Sequence, residues 1–461
     1  MLRTVPLAIL LALLCSCRTL DPPVEHIVMV DKFGTPSNPA ERPLMSRSYA
    51  PLEASEFETH LELLVDRMRT QGREWESEGK PKRAVLYLHG GLNEPRESVV
   101  KSTRIAEAML ADDVYPLFLL WDSSLWSCHR DHLFFIRQGE DWGWWGFPLA
   151  PIYLATDLSR VVARAPLVWL SEFRSGLEAL PGTFTAREHS IEERRARNES
   201  TLAGSASVDA GDDRRRWYEN TLWALRQTIT LPTKLIFGPL LNGVGTNAWN
   251  VMQRRIYSLF APEADVLIGQ MSAQRGAVPL FMAALQELER EDPSWEFVLV
   301  GHSMGCIVAN RALTEPGPTF DRIVHMASAA QISDTVSSVE RYLEDHPDTR
   351  FHIVTLHEEA DVIETDYLGL PPSGSLLVWI DSFLDEPRTP HEQTAGRFGN
   401  ALIVRSLLSA DVLDRVTVKA FSVGGDTPES VPTRHGDFGR RRFWEESFWL
   451  PRRTVSGSDR P

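Results

Sequence analysis

The sequence predicts an α/β architecture, a mostly parallel central sheet flanked by helices, carrying one large and mainly helical insertion. Three observations predict it. Short, mostly apolar runs recur at residues 83–88, 115–121, 297–300, 351–356 and 416–423, unbroken at 297–300, and such runs suit strands buried on both faces rather than half-exposed ones. Segments between them carry apolar residues at spacings of three and four, the mark of helices with one buried face. Strand and helix alternate on both sides of residues 122–262 but not within them, which places an insertion inside one sheet-forming unit.

A chain of 461 residues exceeds one ordinary domain, so an enlarged domain or a pair of domains is expected. The net charge of −15 argues against a nucleic-acid partner. Met1–Cys17 reads as a leader outside the fold: Arg3 is a positive n-region, Leu7–Leu14 an apolar h-region, and Leu14-Cys15-Ser16-Cys17 a small-residue cleavage region. The leader is too short to span a bilayer. These residues resemble the lipobox of bacterial lipoprotein signal peptides, with Cys15 as a departure. The resemblance implies cleavage before Cys17, acylation of its thiol and anchoring to a membrane surface of the cell envelope. A plain secretory signal is the alternative. Beyond the leader only Cys128 and Cys306 remain; they imply no disulfide framework and read as packing residues.

The first part of the core is expected over residues 18–121. It holds a strand at His26–Val30, a proline-rich loop at Lys32–Pro51, a helix at Glu53–Gly72, a strand at Arg83–Leu88, a helix at Glu97–Ala111 and a strand at Tyr115–Trp121. Residues 122–262 form the insertion, a Trp-rich helical cap with helices at Ile152–Leu180, Trp217–Thr230 and Asn247–Phe260. Its stretch 188–216 is charged and rich in small residues and is expected to be mobile. The cap reads either as a lid and acyl-binding surface or as a second core that packs its own tryptophans. Residues 263–450 resume the α/β rhythm, with helices at Gly276–Glu289, Thr335–Glu344, Thr394–Ala410 and Arg441–Trp449 and strands at Phe297–Val300, Arg322–Ala327, Phe351–Leu356 and Val416–Val423; residues 451–461 form a tail.

The chemistry centres on Gly301-His302-Ser303-Met304-Gly305, which follows the Phe297–Val300 strand at once and opens a helix with apolar residues at 306, 307, 309, 312 and 313. A strand feeding a helix through G-x-S-x-G is a nucleophile elbow: Ser303 sits on a strained turn, and glycines at 301 and 305 let strand and helix approach. The pentapeptide alone is a weak signal, and its flanks make it specific. Upstream, the strand ending at Leu88 runs into His89-Gly90-Gly91-Leu92-Asn93. Glycines there leave backbone N–H groups free to face an anion. With the N–H of Met304, that of Gly91 or Leu92 would complete an oxyanion hole. His89 reads as a structural residue of the loop.

A serine hydroxyl needs a base within reach and a carboxylate to orient it. The acid is expected after a strand beyond the elbow and the histidine after the last strand. Asp361, five residues past the strand ending at Leu356, fits the first demand. Glu358, Glu359 and Glu364 are neighbours that a shifted strand end would favour, and Asp334, one strand earlier, is the distinct alternative. His435 is the only histidine beyond the final strand; His302, beside Ser303, reads as a wall residue. Together these motifs resemble the α/β-hydrolase superfamily, specifically its serine esterases and lipases. The likeness covers about residues 25–121 and 264–450 and leaves the insertion unaccounted for. It implies hydrolysis of a small-molecule or lipid carboxylic ester through an acyl-serine intermediate, with Ser303 as nucleophile, His435 as base and Asp361 as orienter. Neither a metal nor an organic cofactor is expected. Thioesterase, amidase or acyltransferase chemistry on the same triad is the near alternative. A non-catalytic, membrane-tethered binding protein on the same scaffold is the far one.

Overall fold

The computed structural model describes residues 24–41, 49–137, 140–178, 208–210, 217–261, 276–364, 374–421 and 432–450. The leader with Cys17, the tail 451–461 and residues 188–216 other than 208–210 lie outside the described residues.

The apolar runs become the strands. They are β1 (Ile27–Val30), β2 (Pro36–Asn38), β3 (Ala50–Pro51), β4 (Lys82–Leu88), β5 (Tyr115–Trp121), β6 (Ile136–Arg137), β7 (Glu140–Asp141), β8 (Val208–Ala210), β9 (Trp295–His302), β10 (Phe320–Met326), β11 (Arg350–Leu356) and β12 (Val416–Phe421). All but β6 and β7, which form a separate hairpin, join one ten-stranded sheet in the order β3-β2-β1-β5-β4-β9-β10-β11-β12-β8. From β1 to β8 in that order every pairing is parallel, whereas β2 and β3 add antiparallel. Every residue of β5 and the last five of β4 are buried, so helices cover both faces, as a parallel sheet requires.

The helices are α1 (Ala54–Ser77), α2 (Pro95–Ala111), α3 (Leu125–Phe134), α4 (Ala150–Glu178), α5 (Trp217–Phe260), α6 (Ala277–Glu291), α7 (Gly305–Ala312) and α8 (Ile332–Asp345), followed by the shorter Glu358–Ile363, Leu376–Trp379, Phe398–Leu407 and Glu446–Trp449. In α1 the residues Phe57, Leu61, Leu64, Val65 and Met68 form the buried stripe, and the spacing of three and four is what puts them on one side.

Four differences from the sequence reading have physical reasons. Lys32–Pro51 is not all loop, because β2 and β3 lie in it; Pro36 is tolerated as the first residue of β2 and Pro51 lies on the edge strand β3, both places where a missing N–H costs little. Val208–Ala210, inside the stretch expected to be mobile, pairs with β12 at the other edge. Arg441–Trp449 is helical only over Glu446–Trp449. The two helices expected at 217–230 and 247–260 are one helix, α5, with Pro232 and Pro239 in its interior. Pro239 has no N–H to give the carbonyl of Leu235, and Trp169 of α4 takes its place, its indole Nε1–H donating to that oxygen at 2.7 Å. The neighbouring helix therefore repairs the bond that the proline breaks. Gly243 lets the two helices close, since a Cβ there would lie 2.3 Å from Val161 Cγ2.

The cap is fixed to the core by charge as well as packing. Arg255 of α5 is buried and donates to Asp131 Oδ2 within the cap at 2.7 Å, and Lys32 of the core donates to the same oxygen at 3.0 Å. At the other end Asn242 and Thr246 donate to the carbonyl of Phe383. The second-core reading does not describe the cluster near 145, where Trp142, Trp144 and Trp145 are exposed, whereas Trp249 is buried. Among the described residues no helix is long and apolar enough to cross a membrane. Cys128 and Cys306 are free and buried.

Candidate active site

The strand order turns at one place. From β4 the chain crosses to β5 on one side, and from β9 it crosses to β10 on the other. Between β4 and β9 the connections diverge, leaving a crevice at the carboxyl ends of the strands, the place where open parallel sheets bind ligands. The two turns that rim this crevice are His89-Gly90-Gly91 and Gly301–Gly305.

Ser303 holds a φ of +53°, a left-handed conformation that a non-glycine residue adopts only when its surroundings enforce it. The enforcement is visible. Its N–H donates to the carbonyl of Met326 at 2.9 Å, and its own carbonyl accepts from Ala329 at 3.0 Å, stitching the turn to the end of β10. A Cβ on Gly301 would lie 2.9 Å from Cys306 Cα, and one on Gly305 would lie 2.1 Å from the carbonyl oxygen of Leu88. Both glycines are therefore steric necessities of the elbow.

The β4 turn lies directly against it. A Cβ on Gly90 would meet His302 Nδ1 at 3.0 Å and Ser303 Cβ at 3.1 Å, and one on Gly91 would sit 3.5 Å from Met304 Sδ. His89 is structural: its Nε2 accepts from the N–H of Trp121 at 3.1 Å, which leaves Nδ1 protonated to donate to the carbonyl of Gly90 at 2.7 Å. Its ring stacks on Trp121, and burial lowers its pKa to about 4. Leu92 is removed as an oxyanion donor, because its N–H is already given to the carbonyl of Ser123 at 2.9 Å. The N–H groups of Gly91 and Met304 remain as the candidate donors.

Ser303 is 1% exposed. It borders a closed, almost wholly apolar cavity of about 10 Å³, lined by Gly91, Leu92, Met304, Trp249, Met252 and Leu384 among others, which is room for about one water molecule. Trp249 and Met252 come from α5, so the cap lies directly over the serine. Leu376 and Leu384, from the segment after β11, close the remaining side. Nothing in the sequence pointed to these four residues, since their place depends on how the cap lies on the sheet.

His435 opens a short helical turn, His435–Arg440, beyond β12 and is buried. It reaches the elbow through His302, whose Nε2–H donates to the His435 carbonyl at 3.0 Å with ring centroids 5.3 Å apart. His302 thus braces the loop rather than the hydroxyl, and burial, reinforced by the His435 ring, pushes its pKa well below the usual imidazole value. Among the described residues neither ring nitrogen of His435 nor the hydroxyl of Ser303 has a hydrogen-bond partner, and burial lowers the pKa of His435 to about 4.

The carboxylates are arranged differently from the sequence reading. Asp361 does not orient His435. It accepts from Arg397 Nε at 3.0 Å and from the Ser375 hydroxyl, and burial raises its pKa against the pull of Arg397. Arg397 also faces Asp381 at 3.5 Å, so two buried carboxylates share one guanidinium. Asp334 is exposed in the first turn of α8, and it too is away from the His435 ring. The side chain of Glu359 lies outside the described residues. The carboxylate brought to His435 is Glu364, whose Oε2 accepts the backbone N–H of His435 at 2.9 Å. Its sequence signal was only its place in the acidic stretch after β11. For Arg397, forty-one residues beyond that strand, no local signal existed.

Among the described residues no group of three or more His, Cys, Asp and Glu could hold a metal ion. Comparison with protein-family models, with curated proteins and with solved structures finds no match. The α/β architecture and the crevice geometry are therefore the grounds for a functional reading.

Proposed function

We propose that the chain is a serine hydrolase of the α/β-hydrolase type that cleaves carboxylic esters. The observation that carries the reading is Ser303 at φ +53° on the turn between β9 and α7, at the edge of the crevice where the connections of β4 and β9 diverge. Backbone strain kept at a nucleophilic side chain, with two glycines whose Cβ atoms would collide, is a cost that a plain strand-to-helix turn has no reason to bear. Ser303 attacks the ester carbonyl, His435 accepts its proton, and the N–H groups of Gly91 and Met304 stabilise the developing oxyanion. His435 then protonates the leaving alcohol, and water attacks the acyl-serine to release the acid. Glu364 serves as the orienting carboxylate in place of Asp361. A carboxylate that already accepts the backbone N–H of residue 435 is one side-chain rotation from accepting its Nδ1–H. The cavity at Ser303 is too small for an ester, so Trp249, Met252, Leu376 and Leu384 must shift as substrate enters, and their apolar surfaces favour an apolar acyl group.

A non-catalytic scaffold is the second reading, and a specific observation favours it: Ser303 and the His435 ring are not hydrogen-bonded to each other. Labelling by a fluorophosphonate probe and hydrolysis of short p-nitrophenyl esters decide between the two. Ser303→Ala is expected to abolish labelling and to lower kcat/KM about 10⁴-fold or more. A wild-type chain that stays unlabelled, or that matches the variant on the esters, establishes the scaffold reading. Thioester and amide panels, and competition by added alcohols, separate the other acyl chemistries.

A further inference from the structure

The cap wears its polarity reversed. Along α4 from Ala150 to Leu170, Ile152 is 59% exposed, Leu158 50%, Val162 76% and Leu170 65%, with Leu154 and Leu167 alongside. The stretch has three charged residues, and all are paired within the protein. Asp157 is buried and accepts from Asn247 Nδ2 at 2.7 Å; Arg160 and Arg164 donate to Glu386 at 2.8 and 2.7 Å. A helix on a soluble surface has the opposite arrangement, apolar side in and charges out. The apolar face continues onto α5 through the Trp169–Leu235 contact, with Ile236 69% exposed and Phe237 and Leu240 beside it. At the amino-terminal end of α4 stand Trp144 and Trp145, each 81% exposed.

We propose that this face of the cap lies in the headgroup and outer acyl region of a phospholipid bilayer. Three observations choose a bilayer over a protein partner. Charges paired within the protein are what a lipid surface demands, whereas a protein partner would leave polar rim contacts on the outside. Tryptophans at one end of the apolar face suit the amphipathic boundary of a membrane. Outside the described residues the chain carries the lipobox-like leader, and only six residues, 18–23, separate Cys17 from the first described residue. They reach about 20 Å at most, so an anchor at Cys17 would hold the body at the membrane. Since no described helix can cross, the cap lies on the bilayer rather than in it. Nothing in this rests on Ser303 being reactive.

The test uses the full chain with zwitterionic phosphatidylcholine vesicles whose acyl chains carry bromine. The leader has no tryptophan, so quenching of tryptophan emission reports the folded body whatever the leader does. Strong quenching that persists at about 1 M salt is expected, since the charges along Ala150–Leu170 are paired within the protein and the face that meets the lipid is apolar. Replacing Trp144 and Trp145 by Phe should remove much of the quenchable emission. Val162→Glu combined with Ile236→Glu should lower quenching several-fold at equal bound protein, with the circular dichroism unchanged because both positions are exposed. Vesicle-bound wild-type protein that is not quenched overturns the proposal, as does equal quenching of the glutamate variant. A wild-type dimer in sedimentation velocity that the glutamate substitutions dissociate, with quenching unaltered, would assign the face to a second copy instead.

Discussion

The two sides of the candidate site are built by different means. On the elbow side every part is locked by backbone: Ser303 is bonded to the end of β10, Gly305 is packed on the carbonyl of Leu88, and Gly90 and Gly91 lie against Ser303 and Met304. On the histidine side the links run through side chains, with His302 bracing the loop, Glu364 holding its first N–H, and the His435 ring making no hydrogen bond among the described residues. A turn fixed by backbone tolerates no change of size. A group held by side chains can be re-aimed when a ligand arrives. Under the proposed function the difference would suit a nucleophile that must be placed once and a base that must swing between the serine and a leaving group.

Paired glycine substitutions test that contrast most severely. Gly305→Ala drives a Cβ into a backbone carbonyl 2.1 Å away, neither of which can retreat without breaking β4, so a loss of about 4 kcal/mol or more is expected, or no folded protein. Gly436→Ala, next to His435, meets nothing within 4 Å and is expected to stay within about 1 kcal/mol of wild type, on the stabilising side if anything. Urea unfolding of the two variants measures both. Comparable losses would show that the histidine loop is as rigidly packed as the elbow.

The same contrast explains what could be read from the sequence. The elbow was legible because each of its demands leaves a residue-level trace: a run of Val and Leu for the buried strand, glycines where Cβ atoms cannot fit, and apolar spacing for the helix. His435 was legible through its position alone. The carboxylate bonded to the His435 loop was not, because a carboxylate is selected by the direction its side chain takes. In the acidic stretch after β11, Asp361 and Glu364 lie within one helical turn of each other. Arg397, far along the chain, claims Asp361 and leaves Glu364 for His435. The proline-crossed helix α5 was illegible for a similar reason, since the indole that accommodates Pro239 belongs to another helix.

Exchanging the two carboxylates sharpens the comparison at the next level. Glu364→Gln keeps the size and the acceptor for the His435 N–H but removes the charge that would stabilise an imidazolium. A fall of about 10² to 10⁴ in kcat, with little change in stability, is expected. Asp361→Asn leaves Arg397 buried against Asp381 alone, and a loss of about 3 kcal/mol is expected, with kcat of the folded fraction unchanged. Steady-state kinetics beside urea unfolding separates them. If the two variants exchange behaviours, Asp361 regains the role the sequence reading gave it.

The smallest effect per residue is the pH dependence of stability, and it distinguishes imidazoles that are bonded from one that is not. Burial lowers the pKa values of His89 and His435 to about 4, below the unfolded value of about 6.5. The stability such a group contributes is present above pH 6.5 and is lost as the pH falls toward 4, because the unfolded chain takes up a proton that the folded chain refuses. Between pH 7 and 5 each such ring accounts for about 2 kcal/mol. Asp381, raised by burial to about 6, opposes this over the same interval, since its folded form gains the proton first, and it offsets about 1 kcal/mol. Urea unfolding at pH 7 and pH 5 should therefore show a net loss on acidification, and His435→Gln should make that loss smaller. At pH 7 the two rings part company. His89→Gln forfeits its bonds to Gly90 and Trp121 and is expected to cost about 1 to 3 kcal/mol. His435→Gln forfeits no ring hydrogen bond and should cost less than half as much, which is the thermodynamic signature of a side chain kept for a purpose other than holding the fold together.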